Sequence, residues 1–189
     1  LFVVTMGIVF AVIGSHKKGN NPSVADNQNN ETTAEPTTEE ETTTKVPTIE
    51  VDLMMIGDML MHEGVVKSGL MDDGTYNFDH LYTNIAKDIS SADIKIVNQE
   101  TILGGSDFAY TGYPTFNSPW ALGDAEVNAG FNIILHATNH TLDKGLKGVE
   151  NCLSFWKTYH PDTTVLGINE TEEDYENIYV YEKEGFKIA

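Results

Sequence analysis

The chain of 189 residues predicts an α/β fold built as a layered sandwich. Two patterns carry that reading. Short apolar runs alternate with stretches of helical periodicity, which favours helices packed on a sheet over an all-β architecture. Three of those runs also stop at clusters of Asp, His, Glu and Asn. An open α/β sheet binds its ligands there, outside the carboxyl ends of its strands.

Taken in order, residues 51–56 read as a buried parallel strand that runs into Gly57-Asp58, with His62 just beyond. Phe78, Leu81, Ile85 and Ile89 fall at helical spacing and predict an amphipathic helix over 78–91. Residues 93–98 predict a second strand that ends at Asn98-Gln99-Glu100. Ser118-Pro119 supplies an N-cap and a proline at the first helical position, and Asn128-Ala129-Gly130 closes that helix. Residues 131–136 predict a third strand, ending at His136-Ala137-Thr138-Asn139-His140 with Asp143 and Gly145 downstream. Leu146, Val149, Leu153 and Trp156 mark a helix over 143–159, stopped by His160-Pro161. Residues 163–166 predict a short strand. Residues 178–181 and 186–188 flank Glu182-Lys183-Glu184-Gly185 and predict a hairpin.

The composition divides the chain in three. Residues 1–14 are apolar and uncharged, of a length expected for a membrane anchor or the tail of a signal segment. No A-x-A cleavage site stands near Gly14, which favours an anchor. Residues 15–49 are rich in Thr, Glu and Asn and hold almost no large apolar side chain. Such a segment cannot offset its chain entropy by burial and is expected to be a disordered stalk. Residues 50–189 carry the globular part. Their last residues read as the middle of a strand, so the domain is expected to be incomplete at the C-terminus.

The net charge is −18, and all 11 basic side chains are lysines. No basic cluster exists, which excludes nucleic acid as a partner. Without arginine there is no bidentate phosphate clamp. Cys152 is the one cysteine, which rules out an internal disulfide and a cysteine-rich zinc site. It falls on the apolar side of its helix and reads as a small buried hydrophobe.

A divalent cation takes carboxylate and water ligands, and a transition ion adds imidazole. Asp58, His62, Glu100, Asn139 and His140 supply that mixture, for Mn²⁺, Zn²⁺, Mg²⁺ or Fe²⁺. Such an ion can activate a water for attack on a phosphoryl or acyl centre. His140 or His62 could protonate a leaving group. Asp143 and Asn98 could orient the imidazoles from behind, which makes His140 and Asp143 the candidate catalytic pair. Asn98, Asn117 and Ser118 are candidate substrate contacts. Plainer readings stand beside these: Gly57-Asp58 as a turn, Glu100 as a cap, and Phe116-Asn117-Ser118-Pro119 as a loop leading into a helix. His80 reads as a surface residue, His136 as a packed strand end and His160 as part of a turn.

Gly57-Asp58, Asn98-Gln99-Glu100, Phe116-Asn117-Ser118-Pro119 and Thr138 through Gly145 occur in an order and spacing that resembles the CapA proteins of capsule and poly-γ-glutamate biosynthesis, relatives of the calcineurin-like metallophosphatases. The resemblance covers residues 50–189 and extends to Leu166-Gly167-Ile168-Asn169. It implies a four-layer α/β/β/α sandwich. It also implies that Asp58 is the first metal-ligand aspartate, that Asn139-His140 is the superfamily's Asn-His motif, and that Glu100 stands near a bridging carboxylate. His62 departs from the pattern: it follows Asp58 by four positions, where those enzymes usually have Asp-x-His. The later ligand motifs of the family are missing from this chain. The implied function is a membrane-anchored, extracytoplasmic protein of capsule biosynthesis with metal-dependent phosphoesterase-type chemistry, working with the membrane and an anionic-polymer machinery. The alternatives are a non-catalytic accessory subunit of that machinery and a generic hydrolase that shares the fold.

Overall fold

A computed structural model of the chain describes residues 48–189. The expected anchor over 1–14 and nearly all of the expected stalk lie outside the described residues. Four short apolar segments form a parallel sheet in the order β1 (Leu53–Ile56), β2 (Ile94–Asn98), β3 (Ile133–Leu135) and β4 (Thr164–Leu166). Their register aligns Ile56, Val97, Ile134 and Val165 in one row across the sheet. Side chains alternate between the faces of a strand, so this row shares one face, and that face carries the main core. Against it pack Leu122 and Ala125 of α3 (Ala121–Ala129), and Cys152, Phe155 and Trp156 of α4 (Gly145–Tyr159). Burying each large side chain of this set contributes roughly 1.5–3 kcal/mol. On the opposite face Leu53 and Met55 remain 53% and 57% exposed.

The α/β class and the parallel sheet agree with expectation. Of the four layers implied by the resemblance, the described residues hold a helical layer, the parallel sheet and a two-stranded antiparallel hairpin, β5 (Tyr181–Lys183) with β6 (Phe186–Ile188). Its turn is the pair Glu184-Gly185, both at positive φ, which suits the twist of a hairpin. The strands therefore run closer to the turn than the sequence predicts. Lys183 forms an ion pair with Asp93, just before β2.

Two predicted helices are shorter in the structure. Over 78–91 the chain makes a 3₁₀ turn at Asp79–Leu81 and becomes α-helical only in α2 (Ala86–Ser91). The side chain of Asn77 accepts from the Asp79 N–H, and Tyr82, Thr83, Asn84 and Ile85 are weak helix formers. Phe78, Tyr82 and Ile89 are buried all the same, so the apolar spacing reports burial rather than a continuous helix. The helix predicted from Ser118-Pro119 begins at Ala121, because the Ser118 hydroxyl bonds Thr101 Oγ1 at 2.7 Å instead of capping. Gly130 closes this helix in the left-handed region, as expected. Two helices escape the sequence reading: α1 (Glu63–Ser68) and α5 (Glu172–Glu176). The second carries a capping box of Thr171 and Asp174, a signal visible in the sequence.

The remaining histidines are placed as read. His80 is exposed beside Ser68, and His160 ends α4 with Nε2 2.7 Å from Asp124 Oδ1. His136 is buried, and its Nε2 accepts from Trp156 Nε1 at 3.0 Å. Burial lowers its pKa to about 3, so the ring stays neutral. Cys152 is buried beside it, with the thiol pushed up to about 12 by desolvation.

Gly167, at φ +90, follows β4 where a Cβ would stand 2.4 Å from the Ala137 nitrogen. Only glycine lets this loop lie against the turn that follows β3.

Glu126 of α3 is fully buried, and neither carboxylate oxygen has a hydrogen-bond partner among the described residues. Desolvation raises its pKa well above the ordinary 4.5; the phenol of Tyr82 and the thiol of Cys152 are its titratable neighbours. A carboxyl with a raised folded-state pKa contributes stability that is present below 4.5 and lost as pH climbs through the folded value. Glu126→Gln is therefore expected to raise Tm at pH 8 and to change it little at pH 4, as read by thermal unfolding across that range.

Candidate functional site

The strand register brings Ile56, Val97, Leu135 and Leu166 to one edge of the sheet, so the loops after all four strands emerge together. Backbone bonds hold the first two. Met59 N donates to Asn98 O at 2.9 Å, and the Asn98 amide donates to Asp58 Oδ1. After β3 the chain makes a tight turn knitted by two threonines. Thr141 Oγ1 donates to the carbonyls of His136 and Thr138. Thr138 Oγ1 donates to Glu100 O at 2.7 Å and accepts from His140 N at 3.1 Å. Thr138 thus joins the loop after β2 to the loop after β3 and sets His140 beside Glu100.

The resulting cluster is partly enclosed: the side chains of His140, Glu100 and Asp143 are 15%, 17% and 13% exposed. His140 Nδ1 lies 2.8 Å from Asp143 Oδ2. The same oxygen accepts from Phe116 N at 2.7 Å. A carboxylate can only accept from a ring nitrogen, so Nδ1 carries a proton, and the tautomer this selects has its lone pair on Nε2. That Nε2 faces Glu100 Oε1 at 4.0 Å, too far for a hydrogen bond. In that tautomer two acceptors face each other across a gap.

That arrangement suits a cation. A metal-ligating histidine usually gives its other N–H to a carboxylate, which fixes tautomer and ring plane, and Asp143 does this for His140. Glu100 and His140 are the two donors that fit. Among the described residues no three Asp, Glu, His or Cys side chains converge into a closed cage. Asp58 is exposed at the end of β1, with Oδ1 engaged by Asn98. Asn139 is exposed on the β3 turn. His62 heads α1, exposed, with its ring edge-to-face on Phe116 at 5.3 Å between centroids.

Asn98, a candidate substrate contact, spends its amide on the Asp58 carboxylate rather than on an imidazole. Asn117 and Ser118, the other two candidates, are fully buried. The Asn117 amide donates to the carbonyls of Gly105, Phe108 and Ala109, and Ser118 bonds Thr101. Both hold the long loop between β2 and α3, so their reading as substrate contacts gives way to a structural one. Two residues that the sequence reading passed over join the site. Phe116 stands edge-to-face to the rings of both His62 and His140. Lys144 Nζ donates to Thr111 Oγ1 and Thr115 O at 3.0 and 3.1 Å, pinning that loop to the β3 turn. The position of Phe116 inside Phe-Asn-Ser-Pro was its only visible signal. A cleft of about 440 Å³ runs beside β4, lined by residues such as Trp156, Leu166 and Tyr179; none of the cluster residues lines it.

A parallel sheet with Asp58, Glu100 and Asn139-His140 on the loops of its carboxyl edge defines an α/β protein of metallophosphatase-like fold. The chain belongs to the bacterial capsule synthesis protein family PGA_cap, whose family model matches residues 52–189. That family implies a role in capsule biosynthesis, and its metallophosphatase-like superfamily generally uses divalent metals. No match was found among curated proteins or among solved structures.

Asp143→Ala removes the acceptor of both His140 Nδ1 and Phe116 N. It is expected to lower stability in urea denaturation by about 2–3 kcal/mol, the scale of hydrogen bonds to a charged group. It should also release the His140 tautomer, seen as a change in the ring ¹⁵N shifts.

Proposed function

We propose that the carboxyl-edge cluster holds a divalent ion, Mn²⁺, Zn²⁺, Mg²⁺ or Fe²⁺, and carries metal-dependent phosphoesterase-type hydrolysis in the assembly or export of an anionic capsule polymer such as poly-γ-glutamate. One observation carries the reading: His140 is held by Asp143 at 2.8 Å and turns its free Nε2 toward Glu100 at 4.0 Å. Glu100 and His140 are the residues that would bind the ion, with Asp58 and Asn139 exposed nearby on loops of the same edge. When bound, the ion supplies a Lewis acid that polarises a phosphoryl or acyl oxygen. Asp143 keeps His140 in the ligating tautomer. His62, exposed and edge-to-face on Phe116, is in this reading the group that gives a proton to a leaving oxygen.

The charge of the chain bears on the same reading. At −18 the protein repels a polyanion, and a bound cation is often the largest local charge in a site, able to reverse the local sign. The apolar residues 1–14 and the Thr/Glu/Asn-rich residues 15–49 support an anchor and stalk holding this domain at the outer face of the cell membrane, next to the polymer machinery.

Calorimetric titration of the full chain is expected to show micromolar binding of at least one of the four ions. Affinity should fall about 10-fold or more in Glu100→Ala and His140→Ala, and hydrolysis of phosphomonoesters or phosphodiesters should fall with it. If no ion binds and no ester is cleaved while synthase subunits are still captured by the His140→Ala protein, the accessory reading replaces this one.

A further inference from the structure

The loop between β2 and α3 meets the cluster through one residue. Phe116 is 1% exposed. Its backbone N–H donates to Asp143 Oδ2 at 2.7 Å. Its ring stands edge-to-face to His140, with centroids 4.5 Å apart and planes at 73°. The same ring stands edge-to-face to His62 at 5.3 Å and 71°. No other residue touches both imidazoles through an aromatic contact among the described residues.

The loop is built to hold that ring still. The buried Asn117 amide reaches three carbonyls of residues 105–109, Thr111 and Asn117 exchange backbone bonds at 3.2 and 3.0 Å, and Lys144 clamps Thr111 and Thr115. A Cβ at Gly104 would come within 2.5 Å of Asn117 Oδ1, so the loop is packed tightly on this side chain. A packed core around one phenyl ring leaves it few orientations.

We infer that Phe116 is a positioning residue that sets the ring planes of His62 and His140 against a common wall, so that the imidazole that would hold the ion and the one that would donate a proton keep a fixed relation to each other. The inference rests on the metal-binding reading above. The edge-to-face geometry matters because the positive rim of one ring then meets the negative face of another, which fixes angle as well as distance.

The test separates this inference from the metal reading. In ¹⁵N-histidine-labelled protein without added metal, the phenyl protons of Phe116 should give nuclear Overhauser contacts to both His62 and His140. In Phe116→Leu and Phe116→Met, which keep the backbone N–H and most of the volume but lose the ring, both imidazoles should lose their ring-current shifts, while the resonances of buried His136 stay put. Zn²⁺ affinity should fall about 10-fold, the scale for residues that orient ligands, and Phe116→Tyr should restore it. Absence of Overhauser contacts to either histidine in the native chain overturns the inference, even where the variants fail to fold. So does unchanged Zn²⁺ affinity in a folded Phe116→Leu or Phe116→Met protein. A native chain that keeps both contacts and binds no ion overturns the metal reading, and with it the role of Phe116 toward an ion, while leaving the ring packing in place.

Discussion

A single oxygen, Asp143 Oδ2, closes the site. It accepts one bond from His140 and one from the backbone of Phe116, and so holds the turn after β3, the long loop after β2 and an imidazole in one arrangement. Neither of these segments has regular structure to hold it. Charge-assisted bonds are short, directional and about twice as strong as neutral ones. A shared carboxylate is therefore an economical clamp for two irregular segments. Thr138 supplies the complementary tie, from the β3 turn to the backbone of Glu100. Together these contacts place His140 Nε2 opposite the Glu100 carboxylate.

The sheet and the ends of its strands were legible because their signals are local. A run such as Ile94-Lys95-Ile96-Val97 stops at Asn98 through a change of polarity that needs no knowledge of the rest of the chain. The pairing of His140 with Asp143 was legible for a similar reason, since a short turn keeps residues three apart within reach. Helix limits were harder. Phe78 and Ile89 are both buried, but their spacing could not show that Tyr82 through Ile85 would prefer tight i to i−3 bonds. Ser118 looked like a cap because caps are local. Its actual partner, Thr101, lies 17 residues away. Asn117 was misread in the same way: an amide in a loop looks available until the loop is seen to fold around it. The role of Phe116 could not be read at all, because it depends on two histidines from distant segments.

Two buried ionisable groups show how differently burial can be tolerated. His136 is neutral at ordinary pH and accepts a bond from Trp156, so its burial costs little until acid forces a proton onto it. Glu126 has no such partner among the described residues and carries its desolvation at neutral pH unless it keeps its proton. Glu126 lies within α3 and His136 directly after β3, and both are buried in the core.

Gly167 has no side chain to bind, donate or coordinate, yet the loop it begins lies in contact with Ala137, next to Thr138-Asn139-His140. Any larger residue there must push on the turn that carries the histidine. A survey of tolerated substitutions would then rank an inert position on β4's exit loop beside the charged residues. Its intolerance would measure the tightness of a fit between two backbones, with chemistry as the bystander.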